Sequence, residues 1–195
     1  MVACPICAAE DVPAAQRAEH LAACLGKTAG LVRPAQLPVA AAAAAPPPSS
    51  PRAPFALQHV RGDLFSSAAD GLAHCVSADF RMGRGIARLF RDRFGGEAEL
   101  RAGGTAVGGV AVRKARGKTV FYLVTKKVYS DKPSKEDFRQ SLVALRKAAE
   151  DVGLASLALP RIGCGLDKLS WPWVQAQLED VFASSAMSVT VYSLE

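Results

Sequence analysis

No run in this sequence is apolar for long enough to cross a bilayer. A spanning helix needs about 18 consecutive apolar residues. Here the six alanines Ala40–Ala45 run straight into Pro46–Pro48. The first ten residues, MVACPICAAE, hold neither a basic stretch nor an apolar core, so no secretory leader and no membrane partner are expected. Cysteine is scarce and odd in number: Cys4, Cys7, Cys24, Cys75 and Cys164. Three of the five cluster near a histidine, which argues for a reducing compartment and a metal site instead of a disulfide framework.

Acidic residues are in the minority. There are 18 against 24 basic ones, a formal net charge of +6. Four basic and three acidic residues precede Phe55, so a net +5 falls from Phe55 onward. A mildly basic domain suits a polyanionic ligand, whether a pyrophosphate or nucleic acid. It is equally compatible with a merely solubilising surface. Half of the residues are hydrophobic, enough to build a core.

Composition divides the chain into three. Residues 1–25 form a Cys/His cluster, 26–54 an Ala/Pro-rich linker, and 55–195 a larger domain. The linker has few large side chains to bury, and its prolines favour an extended, semi-stiff tether. From Phe55 onward strand-like and helix-like segments alternate. Strands are expected at Leu57–Val60, Leu72–Val76, Val107–Val112, Thr119–Thr125, Ser156–Leu159 and Ser188–Tyr192. Helices are expected at Gly85–Phe94, Ser134–Asp151 and Trp171–Ser184. In the second helix Phe138, Leu142, Leu145 and Ala149 recur every three or four residues, one apolar face. Ser134 with Asp137 resembles a capping box with Asp in the usual Glu position. The alternation points to an α/β domain with a mixed sheet covered on both faces.

The N-terminal spacing is Cys4-x2-Cys7-x12-His20-x3-Cys24. Three thiolates and one imidazole close a tetrahedral structural zinc site with no open position for catalysis. A piece this small has almost no core, so zinc would supply its folding energy. The run also resembles a UBZ-type ubiquitin-binding finger, with Val12-Pro13, Leu21 and Leu25 in matching places. Ala22 stands where such fingers carry an acidic residue. A nucleic-acid finger is the rival, though only Arg17 among the residues between the ligands is a Lys or Arg.

Three glycine-bearing loops follow expected strands: Val60-Arg-Gly-Asp63, Arg81-Met-Gly-Arg-Gly85 and Pro160-Arg-Ile-Gly-Cys-Gly165. Glycine at a strand-to-helix turn lets backbone N–H groups approach an anion, and a helix N-terminus adds a favourable dipole. One such loop is commonly just a tight turn. Three in one small domain point to a phosphate ligand.

The runs VRGDLF, LAHCVSADFRMGRGIARLF, RFGG, YLVTKK, LPRIGCGLDKLSW and VTVYSL occur in this order. Over residues 57–194 the chain resembles the macrodomain family, in its ADP-ribosyl-protein glycohydrolase branch. The resemblance implies a three-layer α/β/α fold. It implies that Asp63 and Leu64 hold adenine. Gly83, Arg84, Gly85 and Ile86 on one side, and Ile162, Gly163, Cys164, Gly165 and Leu166 on the other, would cradle the diphosphate, with Met82, Pro160 and Arg161 also binding ADP-ribose. Ser77 and Thr125 would line the distal ribose. Lys126 would be the nucleophile and Asp167 its acid/base partner, with no cofactor for the catalysis. The substrates implied are proteins carrying mono-ADP-ribose on acidic side chains, with O-acyl-ADP-ribose a further one. A non-catalytic reader and an ADP-ribose 1″-phosphate phosphatase are the alternatives. ADP-ribose and ubiquitin signals meet in DNA-damage responses, so the nucleus is expected ahead of the cytoplasm.

The chemistry suits these residue types. A lysine amine is nucleophilic only when neutral, which desolvation or a nearby cation favours. Lys126 ends the hydrophobic run VFYLVT, where a strand delivers it into a dry cleft and turns Lys127 the other way. Without its surroundings a Lys-Lys pair at a strand end is a solvated cap, and Asp167 could simply cap the next segment. His74 and Cys75 read as core residues, and only the backbone of Cys164 is needed for phosphate. Many hydrolytic macrodomains carry an asparagine-rich loop after the first helix, whereas the corresponding stretch Cys75–Asp79 has no asparagine. That favours the lysine route.

Overall fold

The computed structural model describes Phe55 and residues 57–194. The expected zinc ligands and linker lie outside these residues. The elements are β1 (Gln58–Arg61), a 3-10 turn (Leu64–Ser66), β2 (Gly71–Ser77), α1 (Gly85–Phe94), α2 (Glu97–Ala102), β3 (Val110–Ala115), β4 (Lys118–Lys126), α3 (Lys135–Asp151), β5 (Ser156–Pro160), α4 (Trp171–Phe182) and β6 (Ser188–Ser193).

One sheet of six strands runs β1-β6-β5-β2-β4-β3. All of its pairings are parallel except β3 with β4. Side-chain alternation along β4 divides the core. Phe121 and Leu123 face α3 and α4, meeting Phe138, Leu142, Leu178 and Phe182. Val120, Tyr122 and Val124 face the other way, against Phe90 and Phe94 of α1 and Leu100 of α2. The result is the expected three-layer arrangement of a mixed sheet covered on both faces. Each fully buried Leu or Phe contributes about 1.5–3 kcal/mol relative to exposure.

Local chemistry sets the helix ends. Ser134 accepts a hydrogen bond from Asp137 N–H at 2.9 Å, the N-cap half of a capping box. Asp137 does not complete the box; its carboxylate accepts from the Ser134 hydroxyl at 2.7 Å. An Asp side chain is one methylene shorter than the Glu that normally reaches back. Three other expectations are corrected. The third strand lies at Val110–Ala115, because Gly108 (φ +84) turns the chain just before it. The last helix stops at Phe182. The six-residue α2 was not expected: Gly95 and Gly96, both with positive φ, end α1 and open α2, too short a run to show a periodicity.

The topology opens a crevice. The segment after β2 leads into α1 on one face of the sheet, and that after β5 leads into α4 on the other. The β2–β5 ladder covers only Gly71↔Leu157 and Leu72↔Ala158. Beyond these pairs the adjoining carboxyl ends are unzipped, which is where open α/β sheets bind ligands.

Candidate active site

A cavity of about 880 Å³ occupies this crevice. Its walls come from the end of β2 (Cys75–Ser77), the segment Arg81–Ala87, Lys126, Tyr129, Ser130, Lys132 and the third glycine loop, Pro160–Gly163 with Gly165–Asp167. Among the described residues, Asp167 is the single acidic one lining it.

Lys126 and Asp167 meet there, Nζ donating to Oδ1 at 2.6 Å. Their side chains are only 11% and 10% exposed. The parallel register between β2 and β4 places Lys126: Val76 lies beside Val124, but Ser77 lies beside Lys126. Thr125 is the extra residue, and the slip sets Lys126 next to Ser77 at the cleft. Such irregularities re-aim side chains beside active sites. Lys127 is exposed, one residue past the end of β4. Thr125 departs from its expected place on the distal ribose. It is fully buried, its hydroxyl 3.4 Å from the Val76 carbonyl, and it does not line the cavity.

Two walls are built for an anion. Helix α1 starts at Gly85 with no side-chain cap on its first N–H groups. Gly85, Ile86 and Ala87 line the cavity there, where unpaired N–H groups and the helix dipole favour negative charge. Phe80 (φ +45) and Met82 (φ +36) hold left-handed conformations just before this turn, fixed by burial of their side chains against the core around Phe90. On the facing wall Gly163 has φ +72, and a Cβ there would lie 2.9 Å from the buried Phe138 ring. Gly165 has nothing within 4 Å of its Cβ position and borders the open cleft. So Gly163 shapes the loop, and Gly165 leaves room for what the loop contacts.

Asp63 and Leu64 lie outside the cavity lining. Asp63 is exposed and caps the 3-10 turn through Phe65 N–H at 3.0 Å. Leu64 is buried in the same apolar cluster as Ile86, beside the α1 wall. Cys164 likewise does not line the cavity, and burial raises its thiol. Burial pushes the Cys75 thiol well above its ordinary range, with Asp167 reinforcing the effect, which suits a packing residue and not a nucleophile. His74 is wholly buried, stacked on Phe90 at 3.9 Å between ring centroids. Desolvation pushes its pKa down to about 3, so it stays neutral in the core. Sequence reasoning missed Arg81, Tyr129, Ser130 and Lys132. The available signal was adjacency: Arg81 abuts the second glycine loop, and Tyr129–Lys132 directly follow the Lys-Lys pair.

No family model matches the chain. Individual proteins do. The human ADP-ribose glycohydrolase OARD1 is 46% identical over 139 residues, covering 71% of this chain and 91% of that protein. A DNA ADP-ribosyl glycohydrolase of Thermus aquaticus is 28% identical over 148 residues, covering 70% of this chain and 41% of its own. Among solved structures, the macrodomain of Thermus aquaticus DarG superposes with a TM-score of 0.65 at 25% identity, covering 71% of this chain and 99% of that one. The macrodomain of Mycobacterium tuberculosis DarG gives 0.66 at 23% identity over 71% and 97%, a likeness of fold. With a relative this similar over nearly its whole length, and with the three-layer fold and crevice in place, the chain belongs to the macrodomain family of the ADP-ribose glycohydrolase OARD1.

Proposed function

We propose that this protein hydrolyses the ester between the distal ribose of ADP-ribose and an acidic side chain of a protein. The observation that carries the reading is the nearly buried Lys126–Asp167 contact in a glycine-walled anion cleft. In this reading the diphosphate lies between the α1 N-terminus and the third loop, Asp63 accepts from the adenine amine, and Ser77 meets the distal ribose. Asp167 takes a proton from the Lys126 ammonium. The freed amine attacks C1″, forming a C1″–N bond as the C1″–O bond breaks. The glutamate or aspartate carboxylate leaves with the electron pair. Water then adds to C1″ and gives its second proton to the departed carboxylate, the C1″–N bond breaks, and the proton held by Asp167 returns to Lys126. Ester and water become carboxylic acid and ADP-ribose. The chain contains no asparagine, so water activation by an asparagine amide is not open to it.

The test is release of ADP-ribose from a protein automodified on glutamate, with borohydride trapping and peptide mass analysis. Release by the parent, loss in Lys126→Ala and an adduct on Lys126 support the reading. A Lys126→Ala variant as fast as the parent overturns the lysine mechanism. A parent that binds ADP-ribose without turnover is a reader.

The N-terminal part extends the proposal. Cys4, Cys7, His20 and Cys24 at finger spacing support a structural zinc site in residues 1–25, tethered through 26–54. The likeness to ubiquitin-binding fingers supports recruitment to ubiquitin-bearing, ADP-ribosylated targets, and with it a nuclear role. Among the described residues no helix is long and apolar enough to cross a membrane.

A further inference from the structure

Asp79 has no part in the chemistry above, yet both of its carboxylate oxygens are engaged. A carboxylate only accepts hydrogen bonds. Oδ1 accepts from the Ser77 hydroxyl at 2.5 Å and from Arg81 N–H at 3.2 Å. Oδ2 accepts from Tyr129 N–H at 3.2 Å. These donors belong to two segments, the end of β2 with the turn that follows it, and the stretch just after β4. The same two segments are tied twice more. Ala78 N–H donates to the Lys126 carbonyl at 2.9 Å, and the Arg81 guanidinium lies 4.8 Å over the Tyr129 ring. Burial alone would push the Asp79 carboxyl up. The bonds from Ser77, Arg81 and Tyr129, with the Arg81 charge, outweigh it and hold the group below the usual carboxylate range.

The bond to Ser77 has a chemical consequence. A hydroxyl has one proton and two lone pairs. Ser77 spends its proton on Asp79, so toward the cleft it offers lone pairs alone. Ser77 lines that cleft and is the register partner of Lys126. It can accept from a ribose hydroxyl or from the Lys126 ammonium, and it cannot donate to either.

We propose that Asp79 is a positioning residue for the hydrolysis. It fixes Ser77 as a pure acceptor facing the sugar, and it ties the turn after β2 to the backbone just after Lys126. The proposal rests on the glycohydrolase reading. The N–H groups of Gly85–Ala87 and of the third loop make no bond to Asp79, so turnover and ligand affinity should separate.

The experiment compares parent, Asp79→Asn, Ser77→Ala and the double variant. It measures kcat on an automodified protein, calorimetric Kd for ADP-ribose, and Tm. Asparagine accepts at one atom only, so it cannot serve both Ser77 and Tyr129. Displacing the groups that orient a reaction costs on the order of 10²-fold. The expected result is a kcat lowered about 10- to 100-fold in Asp79→Asn, with Kd within about threefold. The double variant should be no more than about twofold slower than Asp79→Asn, because the contribution of Ser77 is already lost once Asp79 no longer orients it. Single losses that multiply in the double variant, or an Asp79→Asn kcat equal to the parent's, overturn the proposal. If Asp79→Asn does not fold, Ser77→Ala decides it: a kcat that falls by more than Kd rises supports it, and an unchanged kcat overturns it. A parent with no turnover sinks the glycohydrolase reading and this proposal with it. An active parent beside an unimpaired Asp79→Asn sinks the proposal alone.

Discussion

The two glycines of the third loop should fail in opposite ways. Gly163→Ala places a side chain at φ +72, a left-handed conformation that costs an ordinary residue about 1–2 kcal/mol. The new methyl would also lie 2.9 Å from Phe138 Cε2 and from Leu169 Cδ1. Phe138 is fully buried between α3 and the sheet and has little room to move. Overpacking of this kind adds roughly 1–3 kcal/mol. The total, about 2–5 kcal/mol, corresponds to a fall in Tm on the order of 10 °C for a domain of this size. Gly165→Ala meets no atom within 4 Å and no left-handed backbone. Its Tm should stay within about 2 °C of the parent's, since substitutions away from packed features are nearly neutral. Its methyl enters the space meant for ligand, so affinity for ADP-ribose should fall at least about tenfold. Gly165→Glu, which brings a carboxylate to the diphosphate, should abolish binding. Thermal unfolding and calorimetric titration separate the two effects. A Gly163→Ala protein as stable as the parent would refute the steric argument. Undiminished ADP-ribose affinity in Gly165→Ala would show that the loop does not approach the ligand there.

Other outcomes follow from single groups. Asp167→Ala should keep ADP-ribose affinity within a few-fold, lose on the order of 10² to 10⁴ in turnover, and accumulate the Lys126 adduct; loss of affinity equal to that of Gly165→Glu would make Asp167 a structural part of its loop. His74 titrates near 6.5 when unfolded and at about 3 when folded, so below pH 6.5 the unfolded chain binds the extra proton and stability falls as pH drops toward 3. Between pH 7 and pH 5 this one group should remove about 2 kcal/mol, and in His74→Leu that part of the denaturant-measured pH dependence should vanish. The full chain should carry one zinc per molecule by metal analysis, and Cys7→Ser should lose it without changing macrodomain turnover; a metal-free parent would remove the finger from the account.

Much of the molecule was written in local pattern. Apolar spacing in α3, alternation in β4 and the glycine turns depend on neighbours along the chain, so element order and the glycine loops that wall the cleft were legible in the sequence. So was the candidacy of Lys126 and Asp167, once the surrounding runs were read together. The sequence did not reveal the one-residue slip beside Thr125, because register is a property of two strands and not of one. That slip decides that Lys126 borders the cleft while Thr125 is buried. It did not separate Gly163 from Gly165 either: the two look alike in the motif, and only the Phe138 ring packed from α3 tells them apart. Nor did it disclose Asp79, whose partners lie 2 and 50 residues away. Contacts between segments distant in sequence form only when the sheet brings the carboxyl ends of β2, β4 and β5 together. Tertiary structure alone therefore decided which of the chain's many polar residues face the cavity.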